Sequence, residues 1–404
     1  MVGTGSRHYR VIALCLAFAS FIVFCNIYLF QPMLPHMAEH YQVSSTIVNW
    51  LFAAATLTLS IALLPWAIAS ETYGRRRIML IGLMMLPFLE ISMVFADSWW
   101  FLVFARGCIG IAAAAFNAVA VAYMVEELTP DAFVKAIGMY IAANSLGGIS
   151  GRLLGGIMTS LLSWQMAVIV MAAVSVVGAI MVFWLLPEQR NFKPTKRKLS
   201  LHMQSILENY SNPILSLAML IGAINFALFV NLYSVMGFRL AAEPYSLPVG
   251  LTSLIFICYL GGTVSSNMTG IWKKKYSSMT GMVLGALISM SGMIIATIES
   301  IPAMLAGLLL ISFGAFFTHT LAYGWVGQHA IKAKATATAQ YLVNYYIGGS
   351  AGGFYLLFCW QQGGWEVVAL GGGVLYALLF IVVWLLWRIE LKANRAQHIP
   401  VEII

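Results

Sequence analysis

The feature that most constrains this chain is a repeated length. Apolar runs of about twenty residues recur from end to end, near 11–31, 46–68, 78–96, 99–124, 136–159, 165–186, 213–237, 248–270, 279–298, 302–326, 336–359 and 366–388. At about 1.5 Å per residue, each run wound as a helix crosses the roughly 30 Å hydrocarbon core of a bilayer. Lipid offers no water to an unpaired N–H or C=O, so only helices or closed barrels can span it. Barrel strands need about ten residues of alternating polarity, whereas these runs are twice as long and apolar throughout. Only 9% of the 404 residues are charged, against about 25% in a soluble domain. The sequence therefore predicts an all-α membrane protein with twelve transmembrane helices.

The formal net charge of +8 would suit a nucleic-acid partner, but its placement reports topology instead. One set of alternate loops carries Arg7, Arg10, Arg75, Arg76, Arg77, Lys135, Arg190, Lys193, Lys196, Arg197, Lys198, Lys273 to Lys275, Lys332, Lys334, Arg388, Lys392 and Arg395. The other set has only Arg239 among Glu39, Asp97, Glu243, Glu299 and Glu366. Basic loops stay on the cytoplasmic side, so both termini and the central loop are expected there, with no nucleic acid bound. All five cysteines fall inside apolar runs, and their spacing fits neither a disulfide framework nor a zinc site. No cofactor is expected. A Gly-x-x-x-x-Gly-Lys-Ser/Thr run is missing, so energy should come from an ion gradient rather than from bound ATP. Seven scattered histidines without an HExxH helix argue against a membrane-embedded enzyme. A non-transporting receptor has the same composition, and only solute exchange separates it from a transporter.

The longest polar stretch, LPEQRNFKPTKRKLSLHMQSILENYSNP, sits at mid-chain with six runs on each side. It divides the chain into a six-helix bundle over 1–186, a cytoplasmic central loop over 187–212, and a second six-helix bundle with a short tail over 213–404. The halves repeat at a shift of 201 residues: Tyr140, Gly147, Gly148 and Gly151 fall on Tyr341, Gly348, Gly349 and Gly352, and Phe116 falls on Phe317. Parallel repeats of this kind belong to transporters that alternate access between two bundles.

Three motifs carry a resemblance. The loop after the second run reads Glu71-Thr72-Tyr73-Gly74-Arg75-Arg76-Arg77; the fourth run holds Leu102, Arg106 and Gly110; the fifth holds Gly138, Gly147, Gly151, Gly155 and Gly156. These resemble the signatures of the major facilitator superfamily. Glu71 stands where the loop signature has Asp, and Ala67 where it begins with Gly. The fourth run matches the spacing of the family's arginine motif. The fifth matches every glycine of its antiporter motif, with Arg152 in the place of the proline. Tyr140-Ile141, Asn144-Ser145, Gly147-Gly148, Ser150-Gly151-Arg152-Leu153 and Leu186-Pro187-Glu188 are similar to the YnfM-like inner-membrane transporters of its drug/proton antiporter branch. The resemblance implies the two-bundle fold and a monomer in the bacterial inner membrane. It also implies export of a small organic molecule (a drug, metabolite or sugar-like solute) in exchange for protons. Transport of an organic anion or neutral solute, in either direction and by another coupling mode, is the alternative.

Within this frame the polar residues become candidates. Glu90, Arg106 and Arg152 lie deep in apolar runs, where a charge costs about 2.5–3.5 kcal/mol on insertion scales. Glu90 is eight residues before the turn at Ser98 and Arg106 eight after it, which places both about 12 Å below that turn. An ion pair between Glu90 and Arg106, extended to Arg152, is therefore expected. The alternatives are a Glu90 that snorkels to lipid and an Arg152 that satisfies carbonyls bared beside glycines. A histidine can titrate near neutral pH, so His319 joins the coupling candidates, with a packing role as its alternative. Asn26, Gln31, Asn117, Asn144, Asn225, Asn231, Tyr233, Asn344 and Tyr345, with Tyr346 beside them, are candidates to line a solute cavity or to bond between helices. At the cytoplasmic end, Glu71, Gly74, Arg75 and Arg76 face Glu126 and Glu127 as the expected gate, with plain topology anchors as the alternative. Gly138, Gly147, Gly151, Gly155 and Gly156 are read as a close-packing stripe.

Overall fold

A computed structural model of the protein describes residues 1–192, 194, 199–330 and 334–396. Lys193, Lys196, Arg197, Lys198 and Lys332 of the basic loops lie outside the described residues, as does the side chain of Arg395. The chain is helical nearly throughout. An isolated parallel bridge between Val2 and Leu128 is the one β pairing among the described residues.

The first helix, α1 (Arg7–Tyr28), starts where Ser6 Oγ accepts from the Tyr9 N–H at 3.1 Å. This side chain satisfies one of the donors that a helix start leaves open. Two short helices follow, α2 (Leu34–His40) and α3 (Ser45–Val48), and then α4 (Trp50–Tyr73). Gly74 separates α4 from α5 (Arg75–Val94) with φ +97°, a left-handed conformation that a side chain would strain. After α6 (Trp99–Glu127), α7 (Pro130–Leu161) opens with proline in its first turn, where the missing N–H costs nothing. The next helix, α8 (Trp164–Leu185), is capped by Ser163 accepting from the Met166 N–H at 3.2 Å.

Beyond the central segment come α9 (Leu199–Ser211) and α10 (Pro213–Ala241). The eighth span is not one α-helix. It runs as α11 (Val249–Ser253), a 3₁₀ turn over Leu254–Tyr259, and α12 (Leu260–Trp272). Then follow α13 (Ser278–Ile295), α14 (Ile301–His329) and α15 (Lys334–Ala396). The last of these is two spans joined at Gly363 and Gly364, which leave helical geometry; Gly364 has φ +65°. Eleven stretches are long and apolar enough to cross a membrane, and the longest, Thr336–Lys392, divides at those glycines into two. The twelve expected spans are present among the described residues.

The chain forms two compact units, Met1–Lys196 with Leu240–Leu254, and Arg197–Arg239 with Ile255–Ile404. In the first, α7 packs along α1, α6 packs on α4 and α5, and α8 packs on α5 and α1; α11 adds to the α7 side. In the second, α14 packs against α13, α12 and α15. One contact recurs in both. Gly147 and Gly151 of α7 abut the backbone of Phe21 and Cys25 of α1, while Gly348 and Gly352 of α15 abut Ala223 and Ala227 of α10. The sequence repeat is thus a repeat of helix approach.

Candidate functional site

The C-terminal half of α1 is a hub. Gly147, Gly151 and Gly155 meet it edge-on: a Cβ on any of them would run into the carbonyl of Phe21, Cys25 or Leu29 respectively. Bare backbone against bare backbone is how helices gain contact in lipid, where no hydrophobic drive assists them. Gly156 serves a different neighbour, Ser253 of α11. Gly138 corrects the expectation: it is exposed, and a Cβ there would meet nothing within 4 Å. It lies two turns before the point where α7 closes on α1, so it makes no close approach.

Arg152, next to Gly151, is fully buried. Its Nε donates to Gln31 Oε1 at 2.7 Å, its Nη1 to the Gly148 carbonyl at 2.8 Å, and its guanidinium lies 3.8 Å from the Tyr28 ring centre. The arginine thus holds a carbonyl within its own glycine-rich turn and a glutamine just beyond α1.

Arg106 of α6 is equally enclosed. It donates from Nε to Leu51 O at 2.8 Å, from Nη1 to Asn26 O at 2.9 Å, and from Nη2 to Ile27 O at 2.8 Å. The planar fork of donors suits three carbonyls at once, and it bolts α6 to both α1 and α4. The expected ion pair with Glu90 is not formed: among the described residues, no ion pair within 4.0 Å joins the two. Nor does Glu90 face lipid, since it is 0% exposed. Its Oε1 accepts from Ser175 Oγ at 3.2 Å, and that hydroxyl accepts from Asn26 Nδ2 at 3.0 Å. Depth was countable from the sequence but rotation was not. The side chain of α5 points at α8 and α1, and a serine occupies the place expected for an arginine.

At the end of the first unit that carries the α4–α5 turn, Arg75 donates from Nε and Nη2 to Glu126 Oε1 at 3.0 and 2.9 Å, and from Nη1 to Ser70 Oγ at 2.5 Å. Arg76 and Glu127 bond to backbone groups rather than to each other. Arg76 donates to the carbonyls of Leu186 and Phe183 at 2.9 and 2.6 Å, closing the C-terminal end of α8. Glu127 Oε1 accepts from the backbone N–H groups of Arg190 and Asn191 at 2.8 and 2.9 Å. Gln189 Oε1 accepts from the N–H groups of Arg75 and Arg76 at 2.7 and 3.2 Å, capping α5 from across the bundle. Gly74 leaves room for that glutamine: a Cβ there would lie 2.5 Å from Gln189 Nε2. Glu71 is half-buried on the last turn of α4. The result is a latch that binds the segment after α8 beneath three helix ends.

The amides and tyrosines divide by burial. Asn26, Gln31, Asn225, Asn231 and Tyr233 are buried. Asn225 donates to Ala315 O at 3.0 Å, Asn231 to Gly349 O at 2.8 Å, and Tyr233 to Leu308 O at 2.8 Å. Their amides hold backbone carbonyls at close helix crossings. Asn117, Asn144, Asn344 and Tyr345 are half-buried. In the first unit, Tyr140 donates to Asn117 Oδ1 at 3.3 Å and Ser20 donates to Asn144 Oδ1. In the second, half-buried His319 places Nδ1 3.1 Å from Tyr341 Oη, with the ring centres of Tyr345 and Tyr323 at 4.4 and 6.1 Å. Tyr345 stacks on Phe226 at 3.9 Å, with Tyr346 edge-on to that ring at 5.8 Å. Each unit therefore carries a partly accessible polar patch on otherwise apolar helices. Ser175, Gln189 and Tyr28 escaped the sequence reading, and Tyr341 entered it only through the repeat. A lone hydroxyl in VMAAVSVVG was the only mark of Ser175, and Gln189 stands one residue beyond the quoted Leu186-Pro187-Glu188.

Known proteins share this architecture. The chain is 29% identical over 394 residues to the inner membrane transport protein YnfM of Escherichia coli (strain K12), covering 98% of this chain and 93% of that one. It is also 29% identical over 381 residues to the uncharacterized MFS-type transporter YybF of Bacillus subtilis (strain 168), covering 94% of each. Among solved structures, a bacterial homolog of the human lysosomal transporter Spinster, inward-facing and unoccupied, matches with a TM-score of 0.79. That match covers 96% of this chain and 98% of the other at 14% identity. The Major Facilitator Superfamily pattern itself runs through residues 16–353, from α1 into the glycine contact of α15. A chain with these spans, this repeated glycine contact and that match belongs to the Major Facilitator Superfamily.

Proposed function

We propose that this multi-pass membrane protein is a proton-driven exporter of a small organic solute in the bacterial inner membrane, acting as a monomer with both termini in the cytoplasm. Transport of a small solute follows from the family. Proton coupling rests on one observation: a carboxyl group, Glu90, is wholly enclosed in the first unit with no cation at ion-pair distance among the described residues. A carboxyl so placed changes charge within the bundle when it binds or releases a proton, and a charge inside lipid is costly enough to bias the bundle's conformation. Export is supported by the glycine motif of α7, which resembles that of the antiporter branch. The two buried arginines give an anionic solute no special support, because Arg106 spends its fork on three carbonyls and Arg152 holds Gln31 and Gly148. Cytoplasmic termini are supported by the basic loops and an even number of spans.

The test begins with accumulation of a drug and metabolite panel in deletion and overexpression cells, which identifies a solute. Flux of that solute is then followed in everted vesicles under imposed pH and sodium gradients. Uptake into everted vesicles driven by the pH gradient is the expected result. Flux that follows sodium and ignores pH rejects the reading.

A further inference from the structure

A polar chain crosses the first unit from α6 to α5. Arg106 grips the backbone carbonyl of Asn26 at 2.9 Å, the Asn26 side chain donates to Ser175 at 3.0 Å, and Ser175 donates to Glu90 Oε1 at 3.2 Å. Two acceptors on this chain are left without a hydrogen-bond partner, Glu90 Oε2 and Asn26 Oδ1. Both residues are enclosed, at 0% and 1% exposure. A buried acceptor left unpaired is costly, so a structure that keeps two of them on one polar chain calls for a ligand. The Asn26 amide cannot turn over to help, because its Nδ2 is also held by the Ile22 carbonyl at 3.2 Å. It lies within reach of the Glu90 carboxyl, towards which its N–H group is a donor. One proton repairs both faults. Added to Oε2, it makes the carboxyl a donor, and Asn26 Oδ1 is an acceptor in need of one.

We propose that Asn26, Ser175 and Glu90 form the binding site of the coupling cation, a proton carried on Glu90 Oε2 and shared with Asn26 Oδ1. In the same proposal, Asn26 passes the site's occupancy to Arg106. This deepens the reading of a proton-driven transporter and rests on it. The step is a simple exchange: an O–H bond forms at Oε2 with a proton taken from water, and the same proton returns to water on release. The charged and titratable groups facing Glu90 are Arg106 from α6 and Cys25 from α1; α8 contributes the Ser175 hydroxyl, and α4 contributes the Leu51 carbonyl through Arg106. Asn26 is a positioning residue for Arg106 because it is engaged at both ends, by its side chain towards Glu90 and by its carbonyl towards the guanidinium. A change in side-chain bonding at Asn26 is thereby felt where α1, α4 and α6 are bolted together.

The oxygen set could also take a small hard cation such as sodium, and the experiment separates the two. Infrared difference spectra of the full chain in lipid vesicles are recorded between acidic and alkaline pH, with and without sodium, for wild type, Glu90→Gln, Asn26→Leu and Ser175→Ala. The expected result is a protonated-carboxyl band that is lost in Glu90→Gln, shifted in frequency in Asn26→Leu, and indifferent to sodium. In Ser175→Ala its titration midpoint should move by about 1 pH unit, the size of one hydrogen bond to a charged group. That variant removes a single hydroxyl and keeps the test decisive if Asn26→Leu does not fold. A band unchanged in both variants overturns the site. A band abolished by sodium at constant pH overturns the proton as its ligand. Failure of proton coupling as a whole looks different: the band behaves as described, yet flux ignores the pH gradient.

Discussion

Gly151 of α7 lies against Cys25 of α1 so closely that a Cβ at Gly151 would sit 2.5 Å from the Cys25 Cα. Neither side of that contact can yield, because both atoms belong to helix backbones. Gly151→Leu should therefore separate the helices or prevent folding, and Gly151→Ala should destabilise the protein by about 1–3 kcal/mol, the range for overpacking. Gly138→Ala is the matched control and should be neutral or slightly stabilising in a helix. Thermal unfolding in detergent checks both. Equal melting temperatures for Gly151→Ala and Gly138→Ala would contradict the contact.

Arg106 should be needed for stability as much as for transport. Removing it takes away three hydrogen bonds from a charged donor, to the carbonyls of Leu51, Asn26 and Ile27, each worth about 1.5–3 kcal/mol. Lysine cannot span all three, so Arg106→Lys should recover less than half of the stability lost in Arg106→Ala. Chemical unfolding monitored by tryptophan fluorescence measures the difference. Full rescue by lysine would mean that charge alone matters there.

The latch after α8 should fail through Gln189 more than through its ion pair. The Arg75–Glu126 pair is partly exposed, with side chains at 14% and 26%, and such pairs are worth about 0–1 kcal/mol. Gln189, by contrast, caps two N–H groups of α5 that have no other cap. Gln189→Ala should speed tryptic cleavage after Arg190 several-fold, while Glu126→Gln should change it less. Digestion of both variants in membranes distinguishes them; the reverse order would show that charge, not capping, holds the segment.

Topology has a direct readout. With basic loops on one side and an even number of spans, a reporter fused after Glu390 should be active only when the reporter type functions in the cytoplasm. Activity of a periplasm-dependent reporter at that position would overturn the orientation.

Much of the fold was legible because the bilayer fixes span length and bans unpaired backbone, and both constraints leave their mark on the sequence. The repeat was legible for the same reason that it matters: Gly147 and Gly348 must be bare where helices touch. Rotation was not legible. Glu90 and Arg106 share a depth, but an apolar helix is apolar on every side, so no periodicity reveals where α5 points its carboxyl. The break of the eighth span into α11, a 3₁₀ turn and α12 carries no proline inside to announce it. Gln189 was hidden because its partners are the N–H groups of a distant helix start, a kind of contact that side-chain chemistry does not encode.

The central claim is that Glu90 links solute movement to protons, and proteoliposomes loaded with the identified solute test it most directly. Two rates are compared for wild type and Glu90→Gln: solute exchange at equal pH on both sides, and accumulation driven by a pH gradient. The account expects Glu90→Gln to keep exchange within about twofold of wild type and to lose gradient-driven accumulation, since glutamine keeps the shape but cannot carry the proton. Accumulation in Glu90→Gln equal to that of wild type would contradict it.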